Sequence, residues 1–369
     1  MMAVPFLDLR SQYAELRGEI DTAVHRVLES GWYLLGEELV AFEREWAAYV
    51  GAEHCVGVAN GLDALRLALT AIGVGPGDEV IVPSNTYIAT WLAVTQVGAT
   101  VVPVEPDVTT FNIDPNRVED AITARTRALL PVHLFGQPAD IDAIYEIAQR
   151  RSLRVLEDAA QAHGARYKGE VVGNKDVVAW SFYPTKNLGA LGDAGAVTTR
   201  DPVVADRLRV LRNYGSREKY HNECRGFNSR LDELQAAVLR VKLSHLDAWN
   251  ERRTRQAQRY ASDLSSTPLG LPTVPVWAES AWHLYVVEAR QRDDLREHLA
   301  NRGIATMIHY PVPPHRQPAY VDAGFPATAF PLARAIADQS LSLPLGPHLT
   351  HDQQTAVIDA VREFSEGHD

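Results

Sequence analysis

The feature that most constrains the fold of this chain is the alternation of β-rich runs with helical stretches over its first two thirds. The β-rich runs are His54–Ala59, Glu79–Pro83, Thr100–Glu105, Ala128–Leu134, Arg154–Glu157, Val177–Phe182 and Ala196–Thr199. Helical patterns cover Gln12–Glu29, Leu62–Ile72, Ile88–Val97 and Ile141–Arg150. This alternation predicts an α/β fold with a mostly parallel sheet and helices on both faces. Ligands of such sheets bind at the carboxyl ends of the strands.

The last third of the chain has a different pattern, which predicts a second, smaller unit. A long helix is expected to begin near Leu231 and to run past Trp249, before the chain breaks at Pro268 and Gly270. We place a domain boundary on this helix, with a large domain over residues 1–245 and a small α+β domain over residues 246–369. The small domain is expected to contain strands at His283–Ala289 and Ile304–Ile308, helices at Asp293–Asn301 and His351–Phe364, and a stiff loop from Pro311 to Pro318.

Charge and composition argue against several classes of protein. A formal net charge of −11 is unsuited to coating nucleic acid or an anionic membrane. The two cysteines, Cys55 and Cys224, are too few for a disulfide framework or a zinc cluster, so we expect a reducing compartment and no metal site. Residues 1–10 lack the apolar core of a secretion signal, and no run of about 18 apolar residues could span a membrane. We therefore expect a soluble, cytoplasmic protein.

A lysine that follows a β-rich run is the first candidate catalytic residue. Lys186 lies in the segment Ser181–Asn187, which has little charge and is followed by a run rich in glycine. Burial would lower the pKa of its amine and make it a nucleophile able to form a Schiff base. Taken alone, Lys186 is more readily interpreted as a solvated loop lysine.

A carboxylate at the end of another β-rich run is the second candidate. Asp158 follows the apolar run Leu153–Leu156, and from a strand end it could hold a protonated pyridine nitrogen. Gln161 could donate a hydrogen bond to the ring oxygen if the segment turns helically. The alternative is that Asp158 caps the next helix.

A strand-to-helix turn predicts an anion site. The free N–H groups of Gly61, Leu62 and Asp63 would point at a phosphate, and the hydroxyl of Ser181 would add a donor. The alternative is an ordinary capped turn without a ligand.

An aromatic side chain completes the set. Tyr87 follows a strand and could stack on a flat heteroaromatic ring, although alone it is better interpreted as a core tyrosine. Together the four segments supply a phosphate site, a stacking ring, a pyridinium partner and an imine-forming lysine. Their combination predicts a site for pyridoxal 5′-phosphate.

With these motifs, the chain resembles the sugar aminotransferases of the DegT/DnrJ/EryC1/StrS family. The resemblance runs from Pro5–Leu9 to the final helix and is most specific in Glu157–Gly164, Ser181–Gly195 and Gly226–Ala237. It implies the aspartate-aminotransferase-like fold (PLP fold type I), with a large domain and a smaller C-terminal one. It also implies pyridoxal 5′-phosphate as cofactor, pyridoxamine 5′-phosphate in the second half-reaction, and L-glutamate as amino donor.

The resemblance further implies a role for each site residue. Lys186 would be the Schiff-base lysine that moves protons, and Asp158 the partner of the pyridinium. The other cofactor contacts would be Gly61, Leu62 and Ser181 at the phosphate, Tyr87 on the ring, Gln161 at the ring hydroxyl, and Asn228 at the phosphate of the neighbouring subunit. The last contact would make the working unit a homodimer with shared active sites. Without the family, Asn228 would be interpreted as a helix N-cap ahead of Leu231.

Details of the motifs resemble the subgroup that acts at C-3 of the sugar. Lys186 separates the chain from the family's dehydratases, which carry histidine there, and the segments Asn187–Gly195 and Arg212–Arg217 resemble enzymes that aminate dTDP-3-keto-6-deoxyhexoses. The substrate-binding candidates are Tyr183, His309, Tyr310 and His315 for the hexose, and Lys219, Tyr220 and Arg225 for the nucleotide, the latter supplied across a dimer. His309 is interpreted equally well as a satisfied surface histidine.

Two other functions fit the same fold. One is an aminotransferase for a C-4 keto sugar or a keto-cyclitol. The other is a non-catalytic regulator that binds the cofactor but does not convert it with glutamate. The complete set of Lys186, Asp158 and Gln161 argues against the regulator.

Overall fold

The structure, a computed structural model, describes residues 3–326 and 328–367. Its helices are α1 (Leu9–Ser30), α2 (Glu37–Val50), α3 (Gly61–Ala71), α4 (Ile88–Gln96), α5 (Pro115–Val118), α6 (Ile141–Arg151), α7 (Pro202–Arg212), α8 (Glu233–Leu243), α9 (Leu246–Asp263), α10 (Arg292–Asn301), α11 (Pro331–Gln339) and α12 (His351–Glu366). Its strands are β1 (His54–Val58), β2 (Glu79–Pro83), β3 (Thr100–Val104), β4 (Thr126–Leu129), β5 (Arg154–Val155), β6 (Glu157–Asp158), β7 (Arg166–Tyr167), β8 (Glu170–Val171), β9 (Val177–Ser181), β10 (Gly195–Thr199), β11 (Ser216–Glu218), β12 (His221–Asn222), β13 (Ala278–Glu279), β14 (Tyr285–Glu288) and β15 (Ser340–Leu343).

The predicted parallel sheet forms the centre of the molecule. One half has the order β3-β2-β4-β5, and the other has the order β6-β9-β10-β1. The two halves join because β5 and β6 are parts of one extended segment, in which the N–H of Leu156 donates to Leu129 and that of Asp158 to Pro131. Neighbouring strands are parallel except for β10, which is antiparallel to both β1 and β9. The predicted mostly parallel α/β fold is confirmed.

Burial of the sheet explains why its strands read as continuous apolar runs. Strands β2 and β10 are buried along their whole length, because helices cover both faces of the sheet. The carboxyl ends of β1, β2, β6 and β9 therefore lie at one edge of the sheet, together with the amino end of the antiparallel β10. That edge is where the sequence predicts the ligand site.

Helix α2 was not among the predicted helices, and its N-terminal cap explains why. The buried carboxylate of Glu233 accepts hydrogen bonds from the N–H groups of Gly36 (2.8 Å), Glu38 (2.8 Å) and Leu39 (3.2 Å). The N-cap residue Gly36 has no side chain that could cap the helix, and the capping group comes instead from α8, far along the chain. The local sequence therefore contains no signal for the start of α2.

The prediction of one continuous helix from Leu231 past Trp249 is wrong. The chain forms two helices, α8 and α9, separated by a turn at Ser244 and His245. The hydroxyl of Ser244 donates to the carbonyl of Val241 at 2.7 Å, and such local side-chain bonds compete with continuation of a helix.

The predicted strand at Ile304–Ile308 is also wrong. Ile304 makes an isolated parallel bridge to Val4, and Met307 makes an isolated antiparallel bridge to Ser342. The segment therefore changes partner within a few residues and cannot form a regular ladder. The C-terminal core instead consists of the β14–β15 pair packed by α9, α10 and α12. The domain boundary between residues 245 and 246 stays a prediction.

One further property concerns membranes. Within residues 3–326 and 328–367, no helix is both long enough and apolar enough to span a bilayer.

Candidate active site

The strand ends converge on a cavity of about 610 Å³ at the predicted edge of the sheet. Ten of the residues predicted from sequence line it: Gly61, Leu62, Tyr87, Asp158, Gln161, Ser181, Tyr183, Lys186, His309 and Tyr310. They come from the ends of β1, β2, β6 and β9 and from the segment that follows α10. The fold therefore brings residues that are distant in sequence into one pocket.

Asp158 is a buried carboxylate at the floor of the pocket. Its Oδ2 accepts a hydrogen bond from the hydroxyl of Thr90 at 2.9 Å, and its Oδ1 accepts one from the N–H of Ala160 at 3.1 Å. Burial raises the pKa of this carboxyl above its ordinary value. Asp158 does not precede a helix, because the next helix in the described chain, α7, begins only at Pro202, so the interpretation of Asp158 as a helix cap is wrong. Among the described residues no cation is within hydrogen-bonding distance of the carboxylate, a costly arrangement that a cationic ligand ring would relieve.

Lys186 is partly buried and lines the same pocket. Loss of hydration lowers the pKa of its amine to about 8, although the charge of Asp158 acts in the opposite direction. The interpretation of Lys186 as a solvated loop lysine is therefore wrong. Near neutral pH such an amine exists in both protonation states, which suits it to nucleophilic and acid–base chemistry.

The loop that carries Lys186 is held in place by helix α8. The buried amine of Lys242 donates to the carbonyl of Gly189 at 2.7 Å, and the Oε1 atom of Gln235 accepts from the N–H of Leu191 at 2.8 Å. A Cβ atom on Gly189 would lie 2.4 Å from the carbonyl oxygen of Pro184, so only glycine fits there. Lys242 could not be identified from the sequence, because its position is typical of an ordinary surface residue of a helix.

The turn between β1 and α3 has free donors as predicted, with one exception. Among the described residues, no acceptor is bound to the N–H groups of Gly61 and Leu62. The N–H of Asp63 instead donates to Oδ1 of Asn60 at 2.9 Å, so its inclusion as an anion donor is wrong. A Cβ atom on Gly61 would lie 2.5 Å from that of Ser181, which places the serine directly beside the helix N-terminus. The turn and Ser181 can together hold a phosphate.

Gln161 and two tyrosines form a connected part of the pocket wall. Oε1 of Gln161 accepts from the N–H of Phe135 at 2.6 Å, and its Nε2 donates to the hydroxyl of Tyr310 at 2.9 Å. One hydrogen of Nε2 remains for a ligand. The rings of Tyr87 and Tyr310 are 5.2 Å apart, and Tyr87 is 54% exposed, so its interpretation as a core residue is wrong.

His309 is held by the strand beside it. Its Nδ1 lies 2.8 Å from the hydroxyl of Ser342, and burial lowers the pKa of its imidazole to about 4. It therefore lines the pocket as a neutral ring, and its interpretation as a surface histidine is wrong. Tyr183 is half exposed on the same pocket.

Five predicted site residues do not line this pocket: Lys219, Tyr220, Arg225, Asn228 and His315. The first three are exposed on or beside the β11–β12 hairpin, as is Asn228 further along. Asn228 is not a helix cap, because α8 begins after Asp232. His315 is buried with its ring 5.0 Å from that of Phe330, so its place among the hexose contacts is wrong for the pocket of this chain. The roles of the hairpin and of Asn228 in a neighbouring subunit stay predictions.

Comparison with known proteins identifies the family. The profile of the DegT/DnrJ/EryC1/StrS aminotransferase family matches residues 14–362. The chain belongs to this family. Among its relatives is dTDP-3-amino-3,4,6-trideoxy-alpha-D-glucose transaminase from Streptomyces venezuelae, which is 59% identical over 98% of this chain and 96% of that protein. A second is dTDP-3-amino-3,6-dideoxy-alpha-D-galactopyranose transaminase from Aneurinibacillus thermoaerophilus, which is 51% identical over 98% and 99% of the two chains.

Structural comparison gives the same family. The crystal structure of S. venezuelae DesV in complex with a ketimine intermediate covers 100% of both chains, with a TM-score of 0.99 and 58% identity. Solved structures among the relatives include pyridoxal-phosphate and pyridoxamine-phosphate forms. This member of the DegT/DnrJ/EryC1/StrS family is a pyridoxal-phosphate-dependent sugar aminotransferase, as the resemblance implied. The buried carboxylate, the free helix N–H groups and the lysine of lowered pKa fit that cofactor.

Proposed function

We propose that this enzyme transfers the amino group of L-glutamate to C-3 of a dTDP-3-keto-6-deoxyhexose, giving a dTDP-3-amino-3,6-dideoxyhexose. The observation that carries the proposal is the full-length similarity to two transaminases whose names specify dTDP-3-amino sugars, at 59% and 51% identity. The sugars in those names differ at C-4 but share the nitrogen at C-3. Amination at C-3 is therefore the common element that we assign to this chain.

The pocket residues suggest how the cofactor is held. When bound, the pyridoxal ring accepts the electron pair left on carbon as a proton is removed. Asp158 keeps the ring nitrogen protonated, since a buried carboxylate is best satisfied by an adjacent cation. The remaining contacts that we assign are Gly61, Leu62 and Ser181 at the phosphate, Tyr87 on the ring face, and Gln161 at the ring hydroxyl.

Lys186 is the residue to which we assign covalent attachment and proton transfer. Its amine lies in the pocket with a pKa of about 8, so near neutral pH it can both take up and release a proton. In the first half-reaction it would take the proton from the α-carbon of glutamate, and in the second it would return a proton to C-3 of the sugar. One amine can therefore serve both half-reactions.

We further propose that the working unit is a homodimer. Large apolar side chains cluster on the exposed segment between α1 and α2, where Trp32 is 63% exposed and Tyr33 is 49% exposed, and Val40 in the first turn of α2 is 62% exposed. Contiguous exposed apolar surface is typical of an interface. In a dimer, Asn228 and the hairpin residues Lys219, Tyr220 and Arg225 would complete the site of the partner. We place the enzyme in the cytoplasm, where glutamate and nucleotide-linked sugars are available.

Product identification tests the proposal. The protein is incubated with L-glutamate and dTDP-3-keto-6-deoxyglucose or its 4-epimer, and separately with the 4-deoxy analogue, with a nucleotide-linked C-4 keto sugar and with a keto-cyclitol. Mass spectrometry and NMR then locate the new nitrogen. Amination at C-3 with release of 2-oxoglutarate is expected. Amination of a C-4 keto sugar or a keto-cyclitol in preference would overturn the assignment, and a cofactor that glutamate fails to convert would indicate a regulator.

A further inference from the structure

His283 lines the active-site pocket but has no role in the function proposed above. It lies just before β14, with 8% of its surface exposed. Its backbone is fixed on two sides, since Arg253 donates to its carbonyl at 3.3 Å and the next residue, Leu284, donates from its N–H to Phe135 at 3.2 Å. The imidazole is therefore held at a defined place in the wall.

Hydrogen bonds determine which nitrogen of this imidazole carries the proton. The side-chain nitrogen of Asn187 donates to Oδ1 of Asn250 at 2.9 Å and to the carbonyl of Ala281 at 2.7 Å. A carbonyl can only accept, so this atom of Asn187 must be the nitrogen, and both of its hydrogens are used. The remaining Oδ1 of Asn187 lies 3.2 Å from Nδ1 of His283 and must accept from it. Nδ1 therefore carries the hydrogen.

The other ring nitrogen, Nε2, is left as a hydrogen-bond acceptor. Among the described residues, the imidazole has a hydrogen bond only at Nδ1, and no donor is bound to Nε2. The imidazole stays neutral, because burial lowers its pKa well below the ordinary value and the charges of Lys186 and Arg253 act in the same direction. A pocket-lining lone pair without a protein partner is satisfied by a ligand that brings an O–H or N–H group.

We propose that His283 is a specificity-determining residue whose Nε2 accepts a hydrogen bond from a hydroxyl of the hexose. This inference rests on the proposed function. The only strong donor of glutamate is its ammonium group, and that nitrogen is the one transferred. The hexose, by contrast, keeps its ring hydroxyls throughout its half-reaction, so a hydroxyl next to C-3 can stay bound to Nε2 from substrate to product.

Two substitutions separate this role from a structural one. In His283→Asn the short amide reaches the position of Nδ1 and can still donate to Asn187, but nothing replaces Nε2. In His283→Gln the longer amide places an oxygen near the position of Nε2 and restores an acceptor. Each half-reaction is followed separately in the holoenzyme by the absorbance change of the cofactor, first with glutamate and then with the keto-sugar. Thermal unfolding of each variant is recorded alongside.

The inference predicts that only the sugar half-reaction distinguishes the two variants. His283→Asn should raise the sugar concentration for half-maximal rate by roughly three- to tenfold, the effect of one neutral hydrogen bond, while His283→Gln stays within about twofold of wild type. The glutamate half-reaction should be similar in both. If Asn preserves the sugar half-reaction better than Gln, or if both variants slow the two half-reactions alike, the inference is overturned. Turnover of the dTDP-3-keto-sugar by the wild type decides the proposed function separately.

Discussion

Asp158 and Lys186 carry opposite charges in one pocket, yet burial shifts the pKa of each toward its neutral form. The shift of the lysine is useful for catalysis, because an amine of ordinary pKa would be almost fully protonated near neutral pH. The shift of the carboxyl favours a bound cation, which restores its charge. The two side chains are thus prepared for a ligand that bonds covalently to one and ionically to the other.

The lowered pKa of Lys186 predicts when its amine becomes reactive. In cofactor-free protein, labelling of Lys186 by an amine-reactive reagent should reach half its maximal rate near pH 8, because below that pH the amine is mostly protonated. Lys168 is the internal control, since its hydrogen bond to Asp142 raises the pKa of its amine. Peptide mass spectrometry over a pH series measures both lysines at once. Identical profiles for the two would contradict the account.

Substitution of Asp158 tests the ionic partner. Asp158→Asn keeps the shape of the side chain and removes its charge, so the protonated ring nitrogen loses its counterion. Loss of a charged hydrogen bond costs about 1.5–3 kcal/mol, which corresponds to a fall in kcat of roughly 10- to 150-fold. Single-turnover kinetics with glutamate measure this. Thr90→Val, which removes one hydrogen bond to the same carboxylate but leaves its charge in place, should have a smaller effect.

The residues at the strand ends could be predicted from sequence, whereas the contacts made across the fold could not. Asp158 and Lys186 each follow an apolar run, and that position alone brings them to one edge of a parallel sheet. His283 is different, because its tautomer depends on Asn187, which is 96 residues away in sequence. No local pattern reports such a partner.

The secondary-structure elements also differ in whether they can be predicted from the local sequence. Strands of the central sheet are buried on both faces, and their apolar runs identify them directly. Helix α2 depends on the carboxylate of Glu233, 197 residues from Gly36, and the short strand predicted at 304–308 fails because its residues pair with two separate segments. Elements stabilised by local sequence are predictable, and those completed by distant partners are not.

The turn that opens α3 permits a test at this scale. Gly61→Ala would place a Cβ atom 2.5 Å from that of Ser181, so the helix N-terminus must move away from the phosphate position. We expect weaker binding of pyridoxal phosphate, by about tenfold or more, and a loss of roughly 1–3 kcal/mol in the free energy of unfolding. Equilibrium binding and urea unfolding measure the two effects.

The matched control lies in α1. A Cβ atom on Gly18 would meet nothing within 4 Å, so Gly18→Ala should leave cofactor binding unchanged and stabilise the helix by up to about 1 kcal/mol. Equal effects of both substitutions on cofactor affinity would contradict the assignment of the turn.

At the scale of the whole molecule, several residues predicted to belong to the site are exposed away from the pocket. Asn228 and the β11–β12 hairpin lie outside the pocket of their own chain, and Tyr220 is 90% exposed. The segment with Trp32 presents apolar surface close to Glu233 and α8. These features are explained together if two copies pair and exchange residues.

Hybrid dimers test that exchange. A Lys186→Ala chain and an Asn228→Ala chain should each be impaired alone. When the two are mixed after dissociation, one site of each hybrid carries both defects, and the other combines an intact Lys186 with an intact Asn228. Activity should therefore rise well above that of either parent. A mixture no more active than the average of its parents would show that Asn228 does not serve a neighbouring site.

The central claim is that Lys186 binds pyridoxal phosphate covalently in this pocket. The most direct measurement is borohydride reduction of the purified, cofactor-loaded protein, followed by peptide mass spectrometry. We expect a yellow protein that loses its colour on reduction and carries the phosphopyridoxyl adduct on the peptide with Lys186, while Lys186→Ala carries none there. A protein that takes up no pyridoxal phosphate even in excess, or whose adduct lies on another lysine, would contradict the account.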